Sequence, residues 1–228
     1  MKGSRVADQQ LWNDVDQYFV GKLHAADPVL DRALQRSTEG GLPEIQVSAS
    51  QGKLLHQLIH LSGAKRILEI GTLGGYSTIW LARALPDDGE IVTMELEPHH
   101  AEVAQANIDD AGLADKVRII VGRAVDSLAA LHQENPAPFD FIFIDADKPS
   151  NPDYWRWAMT FSRPGTVIFV DNVVRNGAVI DAGSENAQVI GVRQVTDLIA
   201  AEPRVDAMAM QSVGSKGYDG FLIARVIA

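Results

Sequence analysis

Cysteine is absent from the 228 residues, which excludes disulfides, thiolate metal centres and cysteine nucleophiles. Positive charge is scarce: 20 Lys and Arg face 30 Asp and Glu, a formal net charge of -10. Nucleic-acid affinity rests on clustered Lys and Arg, so no such partner is expected. Long apolar stretches are missing too. Runs such as Phe141–Ile144 and Val167–Val170 fall far short of the roughly 20 residues that cross a bilayer, so no membrane association is expected. Asp8, Gln9 and Gln10 stand where a signal peptide needs its apolar stretch. These absences point to a cytoplasmic enzyme or binding protein. What is present, 46% hydrophobic and 22% charged residues, excludes disorder and fibrous repeats. The length suits one domain with a full core.

Residues 1–47 read as a helical extension and 48–228 as the core of the domain. Leu11, Val15, Phe19 and Leu23 recur every four residues, one face of a helix suited to the core or a dimer contact. Asp27-Pro28 opens a second helix to about Arg36, and Ser48-x-x-Gln51 has the form of a capping box before a third. From Lys65 the rhythm becomes strand, helix, strand, helix. Strands are expected at 66–70, 91–95, 117–121, 139–144 and 166–170, with helices at 76–85, 98–111, 124–132 and 154–161 between them. A helix at 189–201 precedes strands at 205–213 and 220–227, close enough to form an antiparallel hairpin. Short apolar strands alternating with helices make a doubly wound α/β fold with a parallel sheet covered on both faces. Residues 173–187, rich in Gly, Asn and Asp, read as a mobile loop over the site.

Ligands of such sheets sit at the carboxyl ends of the strands, and polar groups are dense there. Glu69-Ile70-Gly71-Thr72-Leu73-Gly74-Gly75-Tyr76-Ser77 is a glycine-rich turn into a helix; it either admits a ligand to the backbone or serves only as tight packing. Leu73 and Tyr76 stand where the dinucleotide fingerprint needs glycine, which disfavours a pyrophosphate. Glu95, ending the second strand, is either a solvated strand end or the acceptor for two ribose hydroxyls. With Glu69 nearby, negative charge would suit a nucleoside with a positive centre, such as the sulfonium of S-adenosylmethionine. Asp145-Ala146-Asp147-Lys148 follows the fourth strand and Asp171-Asn172 the fifth. Singly, each Asp could be a turn residue or helix cap. Together, Asp145, Asp171 and Asn172 form a hard-oxygen donor set for Mg²⁺, Mn²⁺ or Ca²⁺. Lys148 lies close enough to deprotonate or steady a hydroxyl, and Asp147 reads as a turn residue or as a partner behind the ligands. Other patterns read blandly: His56-x-x-x-His60 lacks the glutamate and third ligand of a zinc site, His99-His100 reads as solvated, Gly52-Lys53 is no phosphate loop, and Trp155 and Trp157 cannot share one helix face.

The segments E-I-G-T-L-G-G-Y-S-T, V-T-M-E-L-E-P, F-D-F-I-F-I-D-A-D-K and V-I-F-V-D-N-V-V-R-N-G resemble the cation-dependent O-methyltransferases of the catechol and caffeoyl-coenzyme A type, from about Ile45 to the end of the chain. The last two segments are the specific ones. The resemblance implies a seven-stranded, mostly parallel sheet and S-adenosylmethionine at the first turn. It implies Glu69, Gly71, Thr72 and Ser77 around the methionine moiety, Glu95 on the ribose, and Ala124 against the adenine. Val47 and Asp145 would also border the cofactor. Asp145, Asp171 and Asn172 match the metal ligands, with Mg²⁺ foremost, and Lys148 matches the general base. The family commonly has an aromatic residue where Asn151 stands and Trp where Arg175 stands; both positions lie near the acceptor. A homodimer is implied, since dimers are common in the family. The expected reaction is methyl transfer to a hydroxyl of a small aromatic vicinal diol, catechol-like or hydroxycinnamoyl-type. The alternatives are a nicotinamide-dependent oxidoreductase, disfavoured by the glycine spacing, a non-catalytic binding protein on the same fold, and a metal-independent methyltransferase.

Overall fold

Five apolar runs form the parallel strands β1 (Arg66–Ile70), β2 (Glu90–Glu95), β3 (Val117–Val121), β4 (Phe141–Ile144) and β5 (Val167–Asp171). The hairpin β6 (Val205–Gly214) and β7 (Gly217–Val226) completes the sheet, with β7 antiparallel to β5. The seven-stranded order is β3-β2-β1-β4-β5-β7-β6, so chain direction reverses its march between β1 and β4, where doubly wound sheets hold ligands. This computed structural model describes residues 2–228, with side chains from Asp8 onward; Met1, the first residue of the expected helical extension, lies outside the described residues.

Each parallel step needs a crossover, supplied after β1 to β5 by α4 (Tyr76–Ala84), α5 (Pro98–Asp110), α6 (Ala124–Gln133), α7 (Asn151–Thr160) and α8 (Ala187–Ala200). Ahead of the sheet lie α1 (Lys2–Leu23), α2 (Pro28–Glu39) and α3 (Ala49–Ser62). Alternate strand residues face opposite sides. Ile67, Ile91, Phe141, Phe143 and Phe169 pack with α3, α4 and α5. Leu68, Val92, Ile142, Ile144 and Val170 pack with α6, α7 and α8. Trp155 is buried in the second layer, and half-buried Trp157 stacks on Phe161.

Most expected boundaries stand within a few residues. Strand β4 starts at Phe141, two residues later than expected, although the Asp140 N–H still donates to the Arg66 carbonyl and its carbonyl accepts the Val167 N–H. The Phe139 N–H donates to the Phe161 carbonyl, and the Asp140 carboxylate accepts the N–H groups of Lys65 and Arg66. Asp27 caps α2 through the N–H groups of Val29 and Leu30. The apolar stripe of α1 does not enter this chain's core: Leu11, Val15, Phe19 and Leu23 are exposed. The helix instead docks polar groups on the hairpin tip, where Gln9 donates to the Gly214 carbonyl and Asp16 accepts from the Ser215 N–H. Among the described residues no helix is long and apolar enough to cross a membrane.

One packing contact fixes the loop after β4. A Cβ on Gly191 of α8 would overlap the Lys148 carbonyl, so helix and loop meet backbone to backbone. Gly191→Ala should therefore cost about 1–3 kcal/mol by overpacking. Gly21→Ala, in open space on α1, should be neutral or gain up to about 1 kcal/mol from helix propensity. Urea unfolding of both variants checks this, and equal stabilities would contradict the contact.

Candidate active site

The turn after β1 is bent by glycine. Gly71 has φ +107, and a Cβ there would overlap the Asp145 carbonyl; only glycine lets the β1 and β4 exits touch. The N–H groups of Gly71 and Thr72 both donate to the Met94 carbonyl. Leu73 takes a positive φ of 50, uncommon for a side-chain-bearing residue, and is held there by Glu95, which accepts its N–H at 2.7 Å. The other Glu95 oxygen accepts the Glu97 N–H at 3.0 Å. His100 Nδ1 lies 3.5 Å from that oxygen, so this histidine is part of the site rather than solvated. The more exposed His99 meets the Gly40 carbonyl. The Gly122 N–H donates to the Glu95 carbonyl, which brings Ala124, half-buried at the head of α6, to the same side of the turn.

Glu69 is closed off from solvent entirely. Its carboxylate accepts the hydroxyls of Ser77, Thr78 and Thr93 at 2.5–2.7 Å, and Thr72 bonds Thr93 in turn. The register explains the nest: Glu69 pairs with Thr93 across β1 and β2, and α4 sets Ser77 and Thr78 over the same face. Burial outweighs these hydrogen bonds and pushes the Glu69 carboxyl up to about 7. Glu69 thus braces the turn from beneath, with Thr72 and Ser77 turned inward alongside it. Val47 is buried just before α3.

The second cluster sits at the ends of β4 and β5. Ile144 pairs with Val170, so the next residue on each strand is an aspartate, Asp145 and Asp171. Lys148 is buried and donates to Asp145 Oδ1 at 2.8 Å. Asp171 is buried too. One of its oxygens accepts the Asn172 N–H at 2.8 Å, the other the Gln51 amide at 2.7 Å. Burial first, then the charge of Asp145, raises its carboxyl well above the ordinary range, against the opposing pull of Lys148. Asn172, at φ 55, turns the chain away. Asp147 caps the turn beyond: it accepts the N–H and hydroxyl of Ser150 and the Tyr154 hydroxyl, as a turn residue should. Among the described residues no three His, Cys, Asp or Glu side chains are placed to share a metal. A cation here would rest on two carboxylates and an amide.

Residues 173–187, expected as a mobile loop, carry 3₁₀ turns at Arg175–Ile180. Asp219 at the start of β7 pins them by accepting the N–H groups of Val174 and Arg175. The His56 and His60 Nε2 atoms lie 3.1 Å apart with His56 Nδ1 on the Trp80 carbonyl, and the rings form ordinary helix-surface contacts. A surface groove of about 560 Å³ between α7 and α8 is lined by Pro149, Arg156, Asp197 and neighbours and by none of the residues above.

Thr78 and four other contributors carry no site role in the sequence reading. Thr93 is a lone polar residue inside an apolar strand, a readable signal. Gln51 shows as half of a capping box, and Ser48 does cap the Gln51 N–H, but the Gln51 side chain reaches across the molecule instead of back to the cap. Gly191 and Asp219 carry no local signal, because their partners lie more than 40 residues away in sequence.

Comparison with known proteins shows the family and the fold. Residues 23–227 match the O-methyltransferase family. A catechol O-methyltransferase of Niastella koreensis is 48% identical over 96% of this chain and 99% of its own length. The crystal structure of an O-methyltransferase from Bacillus cereus in complex with S-adenosylhomocysteine superposes with a TM-score of 0.95 at 53% identity, covering 96% and 99% of the two chains. TomG of Streptomyces achromogenes, an O-methyltransferase of tomaymycin synthesis solved with S-adenosylmethionine, gives 0.93 at 51% identity over the same shares.

The enclosed carboxyl of Glu69 has a consequence for stability. Its folded-state value, about 7, lies above the ordinary 4.5. The folded chain therefore holds a proton that the unfolded chain releases, and stability is lost as pH rises through 7. Between about pH 5.5 and pH 8 this loss should amount to about 2 kcal/mol. Urea unfolding without metal or cofactor should show wild type losing that much relative to Glu69→Gln over the interval. Parallel pH profiles would contradict the assignment.

Proposed function

We propose, given that this chain belongs to the O-methyltransferase family, that it methylates one hydroxyl of a small aromatic vicinal diol, catechol-like or hydroxycinnamoyl-type, with the help of a divalent cation. S-adenosylmethionine is the family's methyl donor; the acceptor, the cation and the residue roles are the proposal. It rests above all on Asp145 and Asp171 ending two adjacent strands, with Lys148 bonded to Asp145 and Asn172 next after Asp171.

The cofactor would lie on the glycine turn, with Gly71, Thr72 and Ser77 beside its methionine part, braced by Glu69. Glu95 would take the ribose with the lone pairs its backbone contacts leave free, Ala124 would border the adenine, and Val47 and Asp145 would close the methionine side. Bound there, the cofactor supplies a methyl group on a positive sulfur. The donor set of two carboxylates and an amide oxygen fits a hard cation, Mg²⁺ foremost, or Mn²⁺ or Ca²⁺. The raised carboxyl of Asp171 supports this fit, because a buried and a half-buried carboxylate beside a single lysine are short of positive charge. Such an ion supplies Lewis-acid stabilisation of an ionised hydroxyl, worth several kcal/mol.

The chain's own residues do the rest. Lys148, held by Asp145, accepts the hydroxyl proton at Nζ when neutral, or steadies the oxyanion when charged. The rigid strand ends hold acceptor and donor in line, and alignment of this kind can supply on the order of 7–11 kcal/mol. No covalent enzyme intermediate is required.

The exposed stripe of α1 supports a second copy of this chain as partner. The helix itself contacts the outer strand β6, which exposes Met208, Met210 and Val213. An unpaired apolar strand edge beside an apolar helix face is a surface that proteins normally cover.

Two experiments test these readings. Asp171→Ala should lower cation-dependent turnover of a catechol at least 100-fold while S-adenosylhomocysteine binds within about threefold of wild type; Glu95→Ala should weaken that binding at least tenfold by calorimetry. Full wild-type activity with excess chelator would remove the cation, and unchanged affinity in Glu95→Ala would remove the ribose contact. Sedimentation should find a dimer that Phe19→Glu with Met210→Glu converts to monomer; a monomeric wild type would exclude the pairing.

A further inference from the structure

We infer that Gln51 is a positioning residue of the cation site, orienting the Asp171 carboxylate and tying it to the cofactor segment. This rests on the cation reading above. Among the described residues, Gln51 is the one side chain that donates to Asp171, at 2.7 Å, across 120 positions of sequence. The other Asp171 oxygen is fixed by the Asn172 N–H at 2.8 Å. The carboxylate is therefore gripped at both ends, and only the Gln51 grip comes from outside its own strand. A buried carboxylate free to rotate would offer its oxygens in several directions; one held at both oxygens offers its remaining lone pairs in one.

The type of residue matters. A Lys or Arg at this position would also orient Asp171, but it would neutralise the charge a cation needs. An amide N–H supplies direction and leaves the charge in place. The location matters equally. Gln51 lies in the first turn of α3, whose cap is Ser48 and whose preceding residue is the buried Val47. A Cβ at the next residue, Gly52, would overlap the Trp80 ring of α4, so this turn is seated too closely to slide. A shift of the Val47 segment must therefore reach Asp171 through one short, rigid link. Partners of metal ligands that act in this way typically change metal affinity about 10–100-fold when removed.

The test uses the full-length chain, with Mn²⁺ binding read from the free-ion electron paramagnetic resonance signal and S-adenosylhomocysteine binding read by calorimetry in chelator. Gln51→Met keeps the length and deletes the amide; Gln51→Ala serves if methionine disturbs folding. Expected is a rise in the Mn²⁺ dissociation constant of about 10-fold or more, S-adenosylhomocysteine affinity within about twofold, and recovery of turnover at saturating Mg²⁺. Mn²⁺ affinity unchanged in both variants would overturn the role. So would an equal loss of both affinities, which marks general disruption. If wild type binds no Mn²⁺ at all, the cation reading falls and this role with it, an outcome distinct from failure of Gln51 alone.

Discussion

The pairing of β4 with β5, Ile144 opposite Val170, sets two aspartates side by side at the next step of the ladder, and the site depends on that register. A slip of one residue would turn each side chain to the other face of the sheet. The apolar contacts along these strands, with Phe141, Phe143 and Phe169 on one side and Ile142, Ile144 and Val170 on the other, make such a slip costly. The core therefore specifies the chemistry indirectly: it holds two like charges together that would separate if free. Burying Asp171 beside a second, half-buried carboxylate is unfavourable, and the chain offsets part of the cost with the Asn172 N–H, the Gln51 amide and the Lys148–Asp145 pair. Removing one partner of such a cluster leaves a buried charge uncompensated, which is worse than never having built it.

The segment between Asp145 and Lys148 is clamped from both sides by backbone. Gly71 brings the β1 exit against the Asp145 carbonyl, and Gly191 brings α8 against the Lys148 carbonyl. Asp147 closes the turn between them with Ser150 and Tyr154. Neither glycine serves the same purpose: Gly71 also needs its positive φ, whereas Gly191 sits in an ordinary helix and is small only so that the helix can approach. A site built this way needs little rearrangement to hold reacting groups in line, because its supports are strands and helices rather than loops.

The sheet was legible because its signals are local. Apolar runs of four to six residues, glycine at Gly71 and Gly75, and caps at Asp27 and Ser48 each act within a few positions of sequence. The acidic residues at the strand ends were legible for a related reason, since parallel strands place their carboxyl ends together whatever lies between. What stayed hidden depends on distance. Gln51 satisfies a local rule at its N–H and breaks it with its side chain, and nothing near it names Asp171. Glu95 was read as a ligand-facing group, and sequence could not show that it also holds Leu73 in a positive-φ turn. His100 was read as solvated because its helix opens on polar residues; only the fold shows that the first turn of α5 lies over Glu95.

The two residues that depart from the family resemblance, Asn151 and Arg175, follow Lys148 and Asn172 in sequence, and their environments differ from those of the charged groups. Asn151 is fully buried at the start of α7, and neither atom of its amide has a hydrogen-bond partner. Such an orphan costs stability, so stability does not explain why an amide stands where the family commonly has an aromatic ring. Arg175, where the resemblance implies a tryptophan, holds a positive φ of 54 and directs its guanidinium to Asp219 and Gln188. Both substitutions exchange an apolar plane for hydrogen-bonding groups, one just beyond Lys148 and one just beyond Asn172. The carboxylates and the lysine keep the family's pattern while their flanks do not. On the proposed reading, that division would separate the residues that carry methyl transfer from those that select the acceptor, and the departure from the family pattern would lie in polarity on the acceptor side.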